Sequence, residues 1–578
     1  MKLSDYIVDF LDKEGVDKVF GYMGGMITHL VDSISQNKNV QFIQTYHEQT
    51  AAIAAEGYAI ESGKFGVAIS TSGPGATNMM TGIADAYFDS IPVVYITGQV
   101  NTYEYKYDKT IRQQGFQETD VVSIVKPITK YAKLVDDPSR IKYELEKAIY
   151  IAKSGRPGPV LLDIPMDIQR ADIDISLLFG YEITEDKTSI EYCINDILEL
   201  ISNAKCPMAL VGAGCQSKDA SVVLDEFIRS TSIPAVSSLM GKGVIDETLP
   251  NFIGMIGSYG NRCANISIAN ADVLIVLGSR LDTRQTGAMV DQFLQKSIII
   301  HVDIDNNELI HHRLNNRIQV LSDVVSFLNQ IKNVKFRNSL KEWNNYLRDL
   351  KAKYNQDKEI ERFVENKAPY LFIQMLNKYS SENDVFCADI GQNQMWAAQT
   401  LKLKKNQKFI TSGGLAPMGF SLPVAIGISF ADPNKTIYSI NGDGGFHMSL
   451  QSLMLISQYN LPIKVIVLNN KALGMITQFQ QLYFDGRMTG TTNNGGYLVP
   501  DIKNISASYN LQYFQINEDD LTNDDLIRKI IGTRNCIIEF VIEGITSVCP
   551  KLEYNKPIQN PIPLLSEEEL NGAMFKHV

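Results

Sequence analysis

The sequence predicts an α/β protein of three doubly wound units, each built on a parallel sheet, and three observations carry that expectation. Its 578 residues exceed what one ordinary core accommodates at about 100–200 residues per domain, and 44% apolar with 21% charged residues supply material for several cores. Residues 437–440 and 463–468 read as strands, and between them Leu450, Leu453, Met454, Ile456 and Leu461 recur at helical spacing, giving strand, turn, helix, strand. Apolar runs also end in glycine-rich turns at 67–75 and 208–214.

In chain order, residues 5–15 have a helical pattern, and Val19-Phe20 leads into the glycine turn 21–25. Phe42-Ile43 precedes Glu48 at the head of an Ala-rich helix running to Ser62, where an acidic residue ordinarily serves the helix dipole. Residues 67–70 and 93–96 read as strands. A second unit is expected after the acidic loop 184–187, with a strand at 208–211 entering Gly212-Ala213-Gly214; the last glycine of G-x-G-x-x-G is missing, so this alone marks a turn. Residues 351–365, rich in Lys, Asp, Glu and Arg, read as a solvated helix or linker. Residues 385–396 read as a strand into a helix, and 551–570 as a loop-rich tail crossing the surface. The expected units span 1–180, 185–345 and 365–547, followed by a tail at 548–578.

The net charge of −11 argues against a nucleic-acid partner, whose phosphates demand a basic face. Seven scattered cysteines with no C-x-x-C spacing read as reduced core residues. The amphipathic start and the lack of an apolar run of membrane length lead to the expectation of a cytoplasmic enzyme.

A right-handed crossover makes the strands at 437 and 463 parallel and brings Asp443 and Asn470 to one sheet edge. A carboxylate, an amide oxygen and the carbonyl of Ala472 suit a small hard cation of the Mg²⁺ type, and Gly442, Gly444 and Gly445 let backbone and a diphosphate approach closely. By itself an Asp-Gly pair after a strand is more often only a turn.

The stretch resembles the thiamine diphosphate motif, GDG followed by NN. With HEQ-x₅-AEGYA, TSGPGATN, DAY-x-DSIP, GFQE-x-D and SGRPGPV-x-LDIP, nearly the whole chain resembles the acetohydroxyacid (acetolactate) synthase catalytic subunit. That resemblance implies a pyrimidine-binding domain with a flavodoxin-like sheet, a central Rossmann-like domain holding FAD and a diphosphate-binding domain. Glu48 is then the carboxyl that drives the aminopyrimidine to its imino form. Phe116, Gln117 and Met475 match pocket positions, Gly24 and Gly25 match backbone contacts near the cofactor, and Met418 matches the wedge between the cofactor rings. Gln392, Asn393 and Gly414 fall in the diphosphate segments, with Asn393 standing where the family has His and still able to donate to phosphate. Arg156, Gly212, Gly214, Leu239, Met240, Arg280, Arg284, Asp303 and Asp323 fall on flavin positions, although Gly257-Ser258-Tyr259-Gly260 replaces Gly-Met-His-Gly.

The implied reaction is decarboxylation of a 2-oxo acid, pyruvate first, and ligation of the two-carbon unit to a carbonyl acceptor, in a homodimer or homotetramer with sites between subunits. Met166 and Phe479 stand where the family usually has Lys and Trp on the acceptor side. They leave open a bulkier acceptor such as a nucleotide-linked keto sugar, while Arg280 is retained to bind a carboxylate or phosphate. A flavin-coupled 2-oxo acid oxidase is the alternative from another class. A simple decarboxylase fits less well, because the one His-His pair, His311-His312, follows the flavin segment.

Overall fold

The computed structural model describes residues 1–183 and 192–575, so the acidic loop expected at 184–187 lies outside the described residues. Three six-stranded sheets, parallel throughout, carry the fold. The first contains β1 (Lys18–Gly21), β2 (Gln41–Gln44), β3 (Gly66–Ser70), β4 (Val93–Gln99), β5 (Tyr131–Leu134) and β6 (Val160–Pro165). The second contains β7 (Pro207–Val211), β8 (Ala235–Ser237), β9 (Phe252–Met255), β10 (Val273–Leu277), β11 (Ile298–Asp303) and β12 (Arg317–Leu321). The third contains β13 (Val385–Ala388), β14 (Lys408–Ile410), β15 (Ile437–Gly442), β16 (Ile463–Asn469), β17 (Tyr513–Ile516) and β18 (Cys536–Val541). Central strands such as β10 and β16 are buried along their whole length, as strands covered by helices on both faces must be.

The strand orders locate the crevices. The first sheet runs β2-β1-β3-β4-β6-β5 and the third β14-β13-β15-β16-β18-β17, the same order when each is numbered from its own first strand. The second runs β12-β11-β10-β7-β8-β9, which from the other edge is the 3-2-1-4-5-6 order of dinucleotide-binding sheets. The order reverses between β1 and β3, between β7 and β10 and between β13 and β15, with a second reversal at the β5 and β17 edges, and the carboxyl ends of the strands at the interior reversals open a crevice for a ligand.

Three expectations need correction. The helix between β15 and β16 is broken into Asp443–Met448, a 3-10 turn Leu450–Ser452 and Leu453–Gln458, because Ser449 leaves helical geometry at φ −129° and ψ 27°. Residues 351–365 are not simply solvated. Helices Lys341–Tyr354 and Gln356–Phe363 meet at Asn355, and Glu359 is buried against Arg262, with Nε to Oε1 at 2.8 Å. The tail does more than cross the surface, since Ile558, Leu565 and Ala573 enter the core around Trp343 and the Arg262 guanidinium donates to the carbonyls of Pro561 and Pro563.

The first and third sheets share one continuous core, centred where helix Glu48–Ser62 packs on helix Ser421–Ala431. Nearly the whole circumference of the first helix is buried, which suits its alanines. A Cβ on Gly57 would sit 2.2 Å from the Val424 carbonyl oxygen, and one on Gly427 1.9 Å from that of Ala54, so both glycines are needed for the backbones to approach.

Beside this crossing lies a buried acid cluster. Neither Glu56 oxygen has a donor among the described residues. Glu56 faces Asp85, which accepts from Ser412 Oγ at 2.5 Å through Oδ1 and likewise lacks a donor at Oδ2. Burial raises both, Asp85 to about 7 and Glu56 well above the usual carboxylate range. A proton shared between Glu56 and Asp85 Oδ2, with Glu56 as the donor, would satisfy the oxygens that lack one. In the unfolded chain both carboxyls titrate near pH 4, so between there and about pH 7 the folded state binds more protons and stability falls as pH rises, by about 1.4 kcal/mol per pH unit per proton. Glu56→Gln, whose amide donates at any pH, is expected to flatten the decline of Tm between pH 5 and 7 in scanning calorimetry; an unaltered slope would contradict the shared proton.

Candidate active site

In the third sheet the order reverses between β13 and β15, and the loops leaving those strands and β16 meet there. Asp389 follows β13, is fully buried and accepts the N–H groups of Ile390 (2.7 Å), Gly419 (3.0 Å) and Ser421 (3.1 Å), while burial pushes its carboxyl up to about 6. It thereby ties the 413–421 loop to the glycine turn after β15. A Cβ on Gly445 would lie 2.6 Å from Asp389 Oδ1, so the turn reaches this carboxylate only without a side chain. Beside Gly444, the Met418 methyl, Leu473 and the Tyr497 hydroxyl converge, each within 3.1 Å of where a Cβ would stand.

Asp443, at the end of β15, is 2% exposed. Its Oδ1 accepts from the Tyr497 hydroxyl at 2.5 Å, and its Oδ2 is buried with no donor among the described residues. Burial pushes this carboxyl up to about 6. Asn470, following β16, donates through Nδ2 to Thr546 Oγ1 (2.8 Å) and more weakly to Gln392 Oε1 (3.4 Å), which leaves its amide oxygen toward the Ala472 N–H at 3.3 Å. Among the described residues no group of three His, Cys, Asp or Glu could hold a metal. A cation here would therefore have one carboxylate and neutral oxygens from Asn470 and Ala472. That sparse, hard donor set fits Mg²⁺, which keeps positions for water and phosphate, and the donorless Oδ2 is the point where the cation would relieve an uncompensated acceptor.

Gln392 and Asn393 open the helix Gln392–Thr400, and both are buried. Gln392 Nε2 reaches Gln478 Oε1 (3.3 Å) and the Thr546 carbonyl (3.1 Å). Asn393 Nδ2 donates to the carbonyls of Asp389 (2.7 Å) and Ile440 (3.2 Å), so its amide braces β13 against β15. Gly414 lies at the junction with the first sheet: its N–H and that of Gly413 donate to Asp89 at 2.8 and 3.0 Å. The Arg280 charge from the second sheet favours ionisation of the same Asp89 against a stronger upward push from burial, and Met240 of the second unit abuts Gly413 beside it.

In the first unit Glu48 begins its helix nearly buried, with Asn78 Nδ2 donating to Oε2 at 3.0 Å. No hydrogen bond or ion pair among the described residues joins it to Asp443 or Asn470. Gly24 lies against Thr71, where a Cβ would approach to 2.5 Å, and Gly25 begins the 3-10 turn Gly25–Ile27 with open space beside it. Phe116 is 80% exposed, Gln117 has φ +63°, and Glu118 holds their turn by accepting from the N–H groups of Lys106, Gln114 and Gly115. Met166 starts the short helix after β6, and Phe479 is 45% exposed on helix Gly474–Tyr483, which also carries Met475.

In the second unit the crevice opens between β7 and β10, where Gly212 and Gly214 pack on Gly278; a Cβ on Gly212 would lie 2.2 Å from the Gly278 carbonyl oxygen. Leu239 and Met240 form the turn after β8, and Met240 abuts Gly413. Asp303 ends β11 with its carboxyl raised to about 6 by burial, whereas Asp323 caps helix Val324–Ile331 by accepting from Ser326 N–H. Arg156 pairs with Glu308 (2.6 Å) and Asp305 (3.4 Å), and Arg280 lies 3.7 Å from Asp282. Arg284 lends its carbonyl to Ser258 N–H. His312 is engaged with the Arg280 carbonyl, a structural use of the His pair.

Sequence reasoning missed Tyr497, Thr546 and the structural roles of Asp389 and Gln478. Asp389 carried a signal, a carboxylate directly after a buried strand, and Gln478 closes the stretch LGM-x-x-Q; Tyr497 and Thr546 arrive from segments with no motif.

Residues 389–540 match the family described as "Thiamine pyrophosphate enzyme, C-terminal TPP binding domain", residues 1–124 the N-terminal TPP binding domain and residues 194–331 the central domain of the same enzymes. The chain is 34% identical to the acetolactate synthase large subunit of Lactococcus lactis subsp. lactis, covering 95% of this chain and 94% of that one. It is 35% identical to the acetolactate synthase isozyme 2 large subunit of Escherichia coli (95% and 97% covered) and 36% identical to the large subunit of Corynebacterium glutamicum (94% and 87% covered).

Gly445→Ala is expected to weaken thiamine diphosphate binding by roughly five- to 150-fold in calorimetric titration, because overpacking against Asp389 costs roughly 1–3 kcal/mol. Gly532→Ala, where an added Cβ meets nothing, serves as the control. Equal affinities in the two variants would show that the close approach of the turn to Asp389 has no bearing on the cofactor.

Proposed function

Because the chain belongs to the acetolactate synthase large-subunit family of thiamine pyrophosphate enzymes, we propose how its own residues serve the family reaction, in which pyruvate loses CO₂ and its two-carbon unit joins the carbonyl carbon of a second 2-oxo acid. The observation that carries this reading is the buried, donorless Asp443 Oδ2 beside Asn470 at the reversal of the third sheet. When bound, thiamine diphosphate supplies the electron sink for loss of CO₂. Asp443, Asn470 and the Ala472 carbonyl hold Mg²⁺. The glycine turn 442–445 leaves backbone room for the diphosphate, and Gln392 and Asn393 brace the loops on either side. Met418, with Leu473 and Tyr497, forms a packed wall that excludes water.

Glu48 is the proton-handling group. Asn78 occupies Oε2, which leaves Oε1 to hold or release a proton in an enclosed site. Among the described residues of one chain Glu48 has no bond to the metal loop, and Phe116 is exposed. Both features support a homodimer or homotetramer in which one copy's Glu48, Phe116 and Gln117 face another copy's Asp443 loop. Arg280, Arg284 and Asp303 would hold FAD at the crevice of the second sheet, whose strand order suits a dinucleotide. The domain spans 1–180, 185–345 and 365–547 follow the three sheets, with the tail beyond. Seven unpaired cysteines suit a reducing compartment such as the cytoplasm, and no helix among the described residues is long and apolar enough to cross a membrane.

Incubation of the purified protein with Mg²⁺, thiamine diphosphate and labelled pyruvate is expected to yield acetolactate and CO₂ in equal amounts; no CO₂ release would refute the reading. Glu48→Gln should lower that rate by about a hundredfold or more while cofactor affinity stays within a few fold. A variant as fast as the parent would remove Glu48 from the chemistry.

A further inference from the structure

After β18 the chain turns back across the metal loop. Thr546 Oγ1 donates to Gln392 Oε1 (2.6 Å) and accepts from Asn470. Two positions on, Gln478 and Val548 exchange hydrogen bonds, Nε2 to the Val548 carbonyl at 3.2 Å and Val548 N–H to Oε1 at 3.0 Å, which fastens the strap to helix Gly474–Tyr483. The strap then reaches Lys551, whose N–H and carbonyl both pair with Ile562, and Leu552, whose N–H donates to the Ser258 carbonyl at 2.6 Å. The backbone at Lys551 is therefore held on both sides, a few residues beyond Thr546.

The Lys551 side chain is 8% exposed. Its ammonium lies 6.0 Å from the centroid of the Phe479 ring, and among the described residues no carboxylate, carbonyl or hydroxyl accepts a hydrogen bond from it. Other buried and half-buried lysines differ. Lys242 pairs with Glu247 at 2.8 Å and with the Leu401 carbonyl, Lys351 donates to the Phe252 carbonyl, and Lys464 has the Asp384 charge nearby. For Lys551 burial acts alone and lowers its pKa. An uncompensated buried ammonium is costly, and a cation–π contact recovers only part of that cost. On the open side stands Phe479, tilted against Tyr483 with ring centroids 4.7 Å apart and still half exposed, an apolar wall beside a cation that lacks its anion.

We propose that Lys551 is a specificity-determining residue of the acceptor site, binding the acceptor's anionic group, a carboxylate or a phosphate, with Phe479 as the wall against which the acceptor lies. This rests on the reading of the Asp443 loop as the thiamine diphosphate site. The anion completes the set of hydrogen bonds that the ammonium lacks in the chain alone, so recognition and relief of burial are one event. Arg280 is a separate cation on another unit, already facing Asp282 and Asp89.

The test is acceptor kinetics with labelled pyruvate as donor in two arms, one with 2-oxobutyrate, whose only anion is a carboxylate, and one with a nucleotide-linked keto sugar, whose anion is a diphosphate. Lys551→Met is expected to raise the acceptor KM in one arm by on the order of ten- to a hundredfold, with kcat altered much less. Lys551→Arg should restore the KM to within a few fold, and the arm that moves identifies the anion. Thermal denaturation of both variants and their thiamine diphosphate affinity, read by titration, separate a lost acceptor contact from lost folding. Acceptor KM values within twofold of the parent in both arms, for Lys551→Met or, if that variant is unfolded, for Lys551→Gln, would overturn the proposal. If the parent protein itself ligates no acceptor with Mg²⁺ and thiamine diphosphate present, the reading of the metal loop falls and the proposal falls with it.

Discussion

A carboxylate oxygen buried without a donor is tolerated only where a cation or a proton meets it, and Asp443 Oδ2 imposes that condition on the third sheet. The surrounding structure is consistent with a cation. Tyr497 takes the other oxygen of the same carboxylate. Thr546 draws off the amide protons of Asn470, so that the amide oxygen remains on the side of Ala472. Asp389 spends its own carboxylate on three backbone N–H groups and thereby holds the Met418 loop over Gly444. Each of these contacts satisfies its own groups, yet together they leave one acceptor unsatisfied at the edge where the sheet order reverses.

The junction between the first and third sheets solves a related problem by different means. Glu56 and Asp85 face each other beside an alanine-rich core, with no ion pair to either among the described residues, and a shared proton would serve there as a metal would at Asp443. Asp89 is satisfied by two loop N–H groups and by the nearby charge of Arg280. The interface that brings the three units together is thus polar at its centre and tightly packed around it. The glycines at 57 and 427 allow the two helices to come close enough to enclose it.

How much of this was legible depended on whether a residue's role is local or borrowed from elsewhere. Periodicity located β15 and β16, and the crossover rule then placed Asp443 and Asn470 at one edge, because both inferences need only a strand, a helix and a handedness. Breaks caused by tertiary packing were not legible: Ser449 interrupts a pattern that reads as one helix, and Glu359 reads as solvated until Arg262, nearly a hundred residues earlier, is brought to it. Asn393 could be assigned a phosphate from its place in a motif, whereas its protons go to the carbonyls of Asp389 and Ile440. Thr546, Tyr497 and Lys551 carried no signal at all, since each becomes meaningful only when a distant loop lies beside it. The repeated strand order of the first and third sheets was also hidden, being a property of pairing and not of any one segment.

The central claim is that Asp443, Asn470 and the Ala472 carbonyl together hold one divalent cation. Crystals grown with Mn²⁺ and thiamine diphosphate test it most directly, through the anomalous signal of the metal. The account predicts one strong peak within coordination distance of Asp443 Oδ2, the Asn470 amide oxygen and the Ala472 carbonyl oxygen. A peak at any other set of oxygens, or none at this turn while the cofactor is bound, would contradict it.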